Sequence, residues 1–289
     1  MPLDRLTNAL PELRPELHRY CARMTGSVID GEDVLQDALM RATEALQRGD
    51  QVRELRPWLF RIAHNTALNH LRAEKSSARA RTESAQIEAT QPHQTPMIVS
   101  TTLRPFLALP ARQRSAVLLR DVLGYTAGEV AEITDTSVSA VKSALHRGRS
   151  HLRNQEQGDG PAKADRAPII ADTDVLAEYV RCFNNHEFDR LRDMLADEVR
   201  LELVARENRN GRAGVSGYFG NYAQVDDWWF SPGLVEGWPA ALAFDRQDRN
   251  SVPTYFVLLT FDHGHLTHIR DFRYARYVSD ALRWQFLDQ

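Results

Sequence analysis

Apolar residues recur at helical spacing through PELRPELHRYCARM, EDVLQDALMRATEAL and RPWLFRIAHNTALNHLR, so residues 1–75 read as a set of amphipathic helices. The pattern then lapses. AEKSSARARTESAQIEATQPHQTPMIVS shows no sustained apolar face and is rich in Ala, Ser, Thr and Gln, which predicts a flexible linker over 76–102. Helical spacing resumes in LRPFLAL and PARQRSAVLLRDVLG, where Pro110 suits a first helical position and Gly124 a helix end. A second linker is predicted over 156–171, on the stretch NQEQGDGPAKADRAP that begins at Asn154. From 172 to 289 two helices, DVLAEYVRCFNNHEF and DRLRDMLADEV, precede a loop, GRAGVSGYFGNY, and strand-like runs such as RLELVAR, AALAFD and YFVLLTF. That order predicts a separate α+β domain behind an all-α N-terminal half.

The sharpest local signal lies in 103–155. Thr126, with Glu129 three residues on, forms a capping box at the start of YTAGEVAEI; a turn at Thr134–Thr136 and the segment SVSAVKSALHRGRSHLR follow. Wound as a helix, that last segment stacks Val138, Val141, Leu145, Gly148 and Leu152 on one stripe and Ser139, Lys142, Ser143, His146 and Arg147 on another. A solvated amphipathic helix would look the same. Preceded by a short capped helix and a turn, however, the segment completes a helix-turn-helix, whose second helix enters the major groove. Lys142 and Arg147 then suit guanine O6 and N7, Ser143 a base or phosphate, and Arg149 and Arg153 phosphates.

A second face lies in RPWLFRIAHNTALNHLR. Trp58, Arg61, Asn65, Asn69 and Arg72 share one side of that helix, a mixture of aromatic, amide and guanidinium groups able to hold an unstacked base. Core packing is the plainer use for a single tryptophan.

Charge sharpens the division. Residues 1–153 carry 21 Lys and Arg against 17 Asp and Glu, net +4; residues 154–289 carry 15 against 22, net −7. A polyanion suits the first part and not the second. Two distant cysteines exclude a disulfide framework and a cysteine zinc site, and the apolar runs are far shorter than the roughly 20 residues of a membrane span. The chain is therefore expected to be cytoplasmic, with no membrane partner.

Residues 30–72 resemble region 2 of group 4 (extracytoplasmic-function) sigma factors of the sigma-70 family, and residues 109–153 resemble their region 4. The resemblance implies that Asp33, Gln36 and Asp37 dock on the β′ clamp helices of core RNA polymerase and that region 4 meets the β flap. It implies that Asn65, flanked by Trp58, Arg61, Asn69 and Arg72, captures a flipped base of the minus-ten promoter element. The helix bearing Ser139, Lys142, Ser143, His146 and Arg147 would read the minus-thirty-five element. One departure is Ala144, where relatives often carry Arg. No cofactor and no catalysis by the chain itself are implied.

Residues 172–280 resemble the SnoaL-like fold, a sheet wrapped into a cone and closed by helices. Such a tail is expected to contact the sigma regions or linkers and modulate activity in cis. In DHGHLTHIRDF the residues His263, His265, His268, Asp262 and Asp271 have metal-ligand chemistry, but strand alternation puts His265 and His268 on opposite faces, and Gly264 reads as a hairpin turn. His268 and Asp271, also on opposite faces, need not be acid–base partners. Tyr218, Tyr222, Trp228, Trp229 and Tyr274 read as core before pocket lining. Two alternatives stay open: a ligand-sensing helix-turn-helix regulator, and a regulator fused to a small-molecule isomerase or cyclase.

Overall fold

The computed structural model describes residues 2–84, 104–156, 173–225, 227–246, 252–281 and 283–287. The chain divides into two compact units, one holding the helices up to residue 156 and the other the sheet that follows.

In the first unit α1 (Pro2–Thr25), α2 (Val28–Gln47) and α3 (Leu55–Ser84) pack side by side. Ser27 caps α2, its hydroxyl accepting from the Asp30 amide, and the stripe Val34, Leu35, Ala38, Ala42 turns inward. α3 runs nine residues into the stretch predicted as linker. From Ala73 to Ser77 its side chains are exposed, so this part of the helix is propagated from a buried stem by residues such as Ala, Glu and Lys that form helix well. The rest of that linker, and nearly all of the second, lie outside the described residues.

α4 (Arg104–Leu107), α5 (Ala111–Val117) with its π-helical continuation Leu118–Val122, α6 (Ala127–Ile133) and α7 (Val138–Glu156) complete the unit. Pro110 stands one position earlier than predicted, as the extended residue before α5 (ψ 142°). The capping box on α6 is complete: Thr126 N donates to Glu129 Oε2 at 2.7 Å and Glu129 N to Thr126 Oγ1 at 3.2 Å.

Both helical groups share one core, whereas the sequence read as two modules on a flexible tether. Phe60 of α3 meets Tyr125 edge-on at 5.3 Å, and the Arg56 guanidinium lies 4.8 Å from the centre of the Tyr125 ring. Buried Arg114 donates to the carbonyls of Leu107 (3.0 Å), Leu109 (3.2 Å) and Met24, tying α5 to the end of α1. Gly26, at φ 97°, lets Leu107 occupy the space a Cβ would fill. The reason is size: α4 to α7 are too short to cover Leu109, Val117, Leu118 and Tyr125 alone, so α1 and α3 close that core.

The second unit is a seven-stranded sheet in the order β2-β1-β6-β5-β4-β3-β7, antiparallel except where β1 runs parallel to β6. Its strands are β1 (Leu195–Leu203), β2 (Glu207–Asn210), β3 (Trp228–Val235), β4 (Trp238–Asp245), β5 (Tyr255–Asp262), β6 (His265–Asp271) and β7 (Trp284–Phe286). α8 (Thr173–Asn184), α9 (Phe188–Asp193) and α10 (Gly211–Ala223) supply the apolar residues packed against one face. This is the α+β architecture expected. Two assignments change. DRLRDMLADEV is helical only to Asp193, because Val199, Leu201 and Leu203 alternate inward as a strand. GRAGVSGYFGNY is helix, not loop: Val215, Tyr218, Phe219 and Tyr222 are buried at helical spacing, and that burial overrides the cost of four glycines. After Asp271 the chain turns as a 3₁₀ helix over Arg276–Ala281. The hairpin at His263 (φ 47°) and Gly264 (φ 78°) stands as predicted, joining Asp262 to its partner His265.

Candidate nucleic-acid interfaces

α7 buries Val141, Ala144, Leu145 and Gly148 and leaves Ser139, Lys142, Ser143, His146 and Arg147 exposed together. Ser137 precedes it, its hydroxyl accepting from the Ala140 amide at 3.2 Å. The inward stripe is shifted from the predicted one: Val138 is 42% exposed at the helix mouth and Ala144 faces the core. The departure at Ala144 therefore falls on packing, away from the exposed face. Gly148 sits so close to α5 that a Cβ there would meet Val117 Cγ2 at 2.8 Å. Arg149 pairs with both oxygens of Asp121 (2.9 and 2.5 Å), which competes with the phosphate contact expected of it; Arg153 donates to Ser150 Oγ at 3.3 Å.

On α3 the residues Leu59, Phe60, Ala63, His64, Thr66 and Ala67 are buried, while Arg61, Asn65, Asn69 and Arg72 form an exposed stripe. Arg72 donates to Asn69 Oδ1 at 2.8 Å, so guanidinium and amide are held edge to edge. Trp58 is half-buried, neither plain core nor free. With Val52, Arg53, Pro57 and Arg61 it lines a cleft of about 370 Å³ bounded by Glu132 and Ile133 of α6. Behind the stripe, Tyr20 Oη and His64 Nδ1 share a 2.8 Å hydrogen bond. Burial, reinforced by the Arg72 charge, holds the His64 imidazole down at about 4, so the ring is neutral at pH 7.

α2 presents Asp37 exposed and Asp33 and Gln36 half-buried on one edge. Met40, 62% exposed, lies on the same edge and was missed; its signal is a large apolar residue off the stripe Val34, Leu35, Ala38, Ala42. Glu32 of the same motif is inward, paired with Arg14 and fully buried.

In the second unit Asp271 faces inward. Its Oδ2 accepts from Tyr218 (3.0 Å) and Tyr222 (2.7 Å) and its Oδ1 from the Arg273 amide (2.8 Å). Burial raises this carboxyl above the ordinary range, against the lowering effect of those hydrogen bonds. His268 lies on the opposite face, in a polar cleft of about 720 Å³ with Asp197, Glu198, Arg200, Glu202 and Asn208. The two are not partners. His263 is exposed at the turn, and His263, His265 and His268 do not converge. Tyr218, Tyr222 and Trp228 are core; Trp229 is half-buried, and Tyr274 is exposed beneath Arg206 at 4.4 Å.

Among the described residues no helix is long and apolar enough to cross a membrane.

Sigma-70 region 2 matches residues 11–77 and Sigma-70, region 4 matches residues 106–152. The ECF RNA polymerase sigma factor SigG of Mycobacterium tuberculosis is 34% identical over 221 residues, 66% of this chain; the chain spans 59% of that relative's length. The ECF RNA polymerase sigma factor SigL of the same species is 32% identical over 146 residues, 47% of this chain and 80% of SigL. Among solved structures, that of the extracytoplasmic function sigma factor SigJ, also of Mycobacterium tuberculosis, aligns with 92% of this chain and 95% of its own. That alignment has 18% identity and a TM-score of 0.36.

Proposed function

The chain belongs to the extracytoplasmic-function group of sigma-70 family RNA polymerase sigma factors, and on that premise we propose that it binds core RNA polymerase and directs it to promoters. The observation that carries this reading is a pair of exposed polar faces, each backed by apolar core: Arg61-Asn65-Asn69-Arg72 on α3 and Ser139-Lys142-Ser143-His146-Arg147 on α7. The first suits a base pulled from its stack, the second the edges of paired bases. Trp58 flanks the minus-ten face. Asp33, Gln36 and Asp37, with Met40 beside them, serve as the edge for the β′ clamp helices, and region 4 meets the β flap. The polymerase supplies the catalysis and the setting is cytoplasmic.

Reading both elements requires the shared core to open. Minus-ten and minus-thirty-five centres lie about 25 base pairs apart, about 85 Å at 3.4 Å per pair, whereas a body of about 150 residues is about 40 Å across. In the packed arrangement the two faces cannot both reach their elements. Separation of α4–α7 from α1 and α3, at Arg114, Leu107 and Tyr125, is therefore part of the functional cycle on this reading.

The acidic second unit acts in cis, favouring either the packed or the opened arrangement; the opposite charges of the two halves support this. Its Asp271 carboxylate serves architecture, since both oxygens are occupied by Tyr218, Tyr222 and the Arg273 amide and both clefts described above are lined by other residues.

Co-purification with core polymerase and run-off transcription from a matched promoter test the main reading. Failure to bind core would return the chain to a ligand-sensing regulator, which leaves the α2 edge and the α3 stripe without a task. Removal of residues 160–289 tests the tail; unchanged output at every promoter would end its regulatory role.

A further inference from the structure

Three side chains of the first unit, none of them among the residues assigned above to DNA or polymerase, lie close together. Asp30 lies in the first turn of α2, and His70 and Glu74 lie one turn apart on α3. A ring nitrogen of His70 and one oxygen from each carboxylate are all within 4.8 Å of one another, with His70 Nε2 3.8 Å from Glu74 Oε1. That Nε2 is closed off from solvent and has no hydrogen-bond partner. A shielded ring nitrogen facing two carboxylates is short of an electrophile, and a cation supplies one.

The spacing fits. Residues four apart on a helix project from the same side, and the third donor comes from a different helix, so the set is a cross-link and not a local pair. Ligand atoms around a tetrahedral ion with bonds of about 2.0–2.2 Å stand about 3.4 Å apart. Closing from 4.8 Å asks for side-chain movement at half-buried Asp30 and exposed Glu74. One imidazole with two carboxylates suits zinc and its first-row neighbours; calcium prefers about six to eight oxygens.

We propose that Asp30, His70 and Glu74 bind one first-row divalent cation of the zinc type, water completing its shell. The ion pins the start of α2 to the half of α3 that carries Asn69 and Arg72, stiffening the exposed stripe from behind.

The test uses the full chain, stripped with a chelator and titrated with Co²⁺, followed by Zn²⁺ displacement. The wild type is expected to take up one equivalent with visible d–d absorption and no thiolate charge-transfer band, and Zn²⁺ to raise its melting temperature. Asp30→Asn and Glu74→Gln should weaken uptake at least about tenfold, and His70→Ala should abolish it along with the Zn²⁺-dependent shift. Circular dichroism of each metal-free variant, matched to the wild type, separates loss of a ligand from loss of fold. Equal uptake by His70→Ala, a thiolate band from Cys21 or Cys182, or no uptake by the wild type would overturn the proposal.

Discussion

Replacing Gly148 by alanine sets two opposing effects against each other in the helix that carries the exposed basic face. Alanine is favoured over glycine in a helix interior by about 1 kcal/mol. The added Cβ would stand 2.8 Å from Val117 Cγ2, where carbon–carbon contacts settle near 3.5–4.0 Å, so α5 and α7 must separate by about 1 Å. Val117 is 3% exposed and β-branched; its methyl has no vacant rotamer to take on a helix. Overpacking of this kind costs about 1–3 kcal/mol, so the clash outweighs the propensity gain and the net loss is up to about 2 kcal/mol. Thermal unfolding should show a fall of about 2–4 °C per kcal/mol, and the displaced helix should bind a minus-thirty-five duplex less well. The control is a double-mutant cycle. Val117→Ala alone creates a void, which the Gly148→Ala methyl partly fills, so the double variant should be no less stable than Val117→Ala by itself. A Gly148→Ala protein more stable than wild type would refute the reasoning, because it would show that the two helices slide apart freely.

The proposed interfaces and the buried histidine lead to three more expectations. Arg147→Ala should cost about 1–3 kcal/mol of promoter affinity and relax choice at one base of the upstream element; equal weakening on all sequences, read by competition binding, would reassign it to phosphate. Asn65→Ala should spare duplex binding yet impair opening, and unchanged permanganate reactivity of the melted strand would count against base capture. His64 titrates at about 4 when folded and near 6.5 when unfolded, so between those values the unfolded chain binds the extra proton. Stability is then full above about pH 6.5 and declines as the pH falls toward 4, by about 3 kcal/mol in all. Chemical denaturation across that range should show a slope that His64→Gln removes; identical slopes would assign the acid sensitivity elsewhere.

Much of the N-terminal unit was legible because its signals are local. Thr126 and Glu129 are three residues apart, and their reciprocal hydrogen bonds need only the first turn of α6 to form. The exposed faces of α3 and α7 follow from a period of 3.6 residues and polar side chains that no neighbour buries. Where reading failed, a distant partner had decided the outcome. GRAGVSGYFGNY looks like a loop by its glycines and becomes a helix because Tyr218 and Tyr222 reach Asp271, about fifty positions away in the chain. The extension of α3 past Lys75 has a different origin: Ser76 and Ser77 are exposed, and no apolar period in the sequence marks it as helix.

The order of amino acids by itself determined the helical and sheet halves, the capped helix-turn-helix, the outward side of each polar stripe and the hairpin at His263–Gly264. All of these depend on dihedral preference and periodicity over a few residues. Only the tertiary structure decided that the two helical groups share one core, that Arg114 ties α5 to the end of α1, that Asp271 is enclosed by tyrosines and that Asp30 meets His70 and Glu74. Those pairings join segments between a handful and about ninety residues apart. Their stability comes from surface buried jointly, a quantity that no short window of sequence contains.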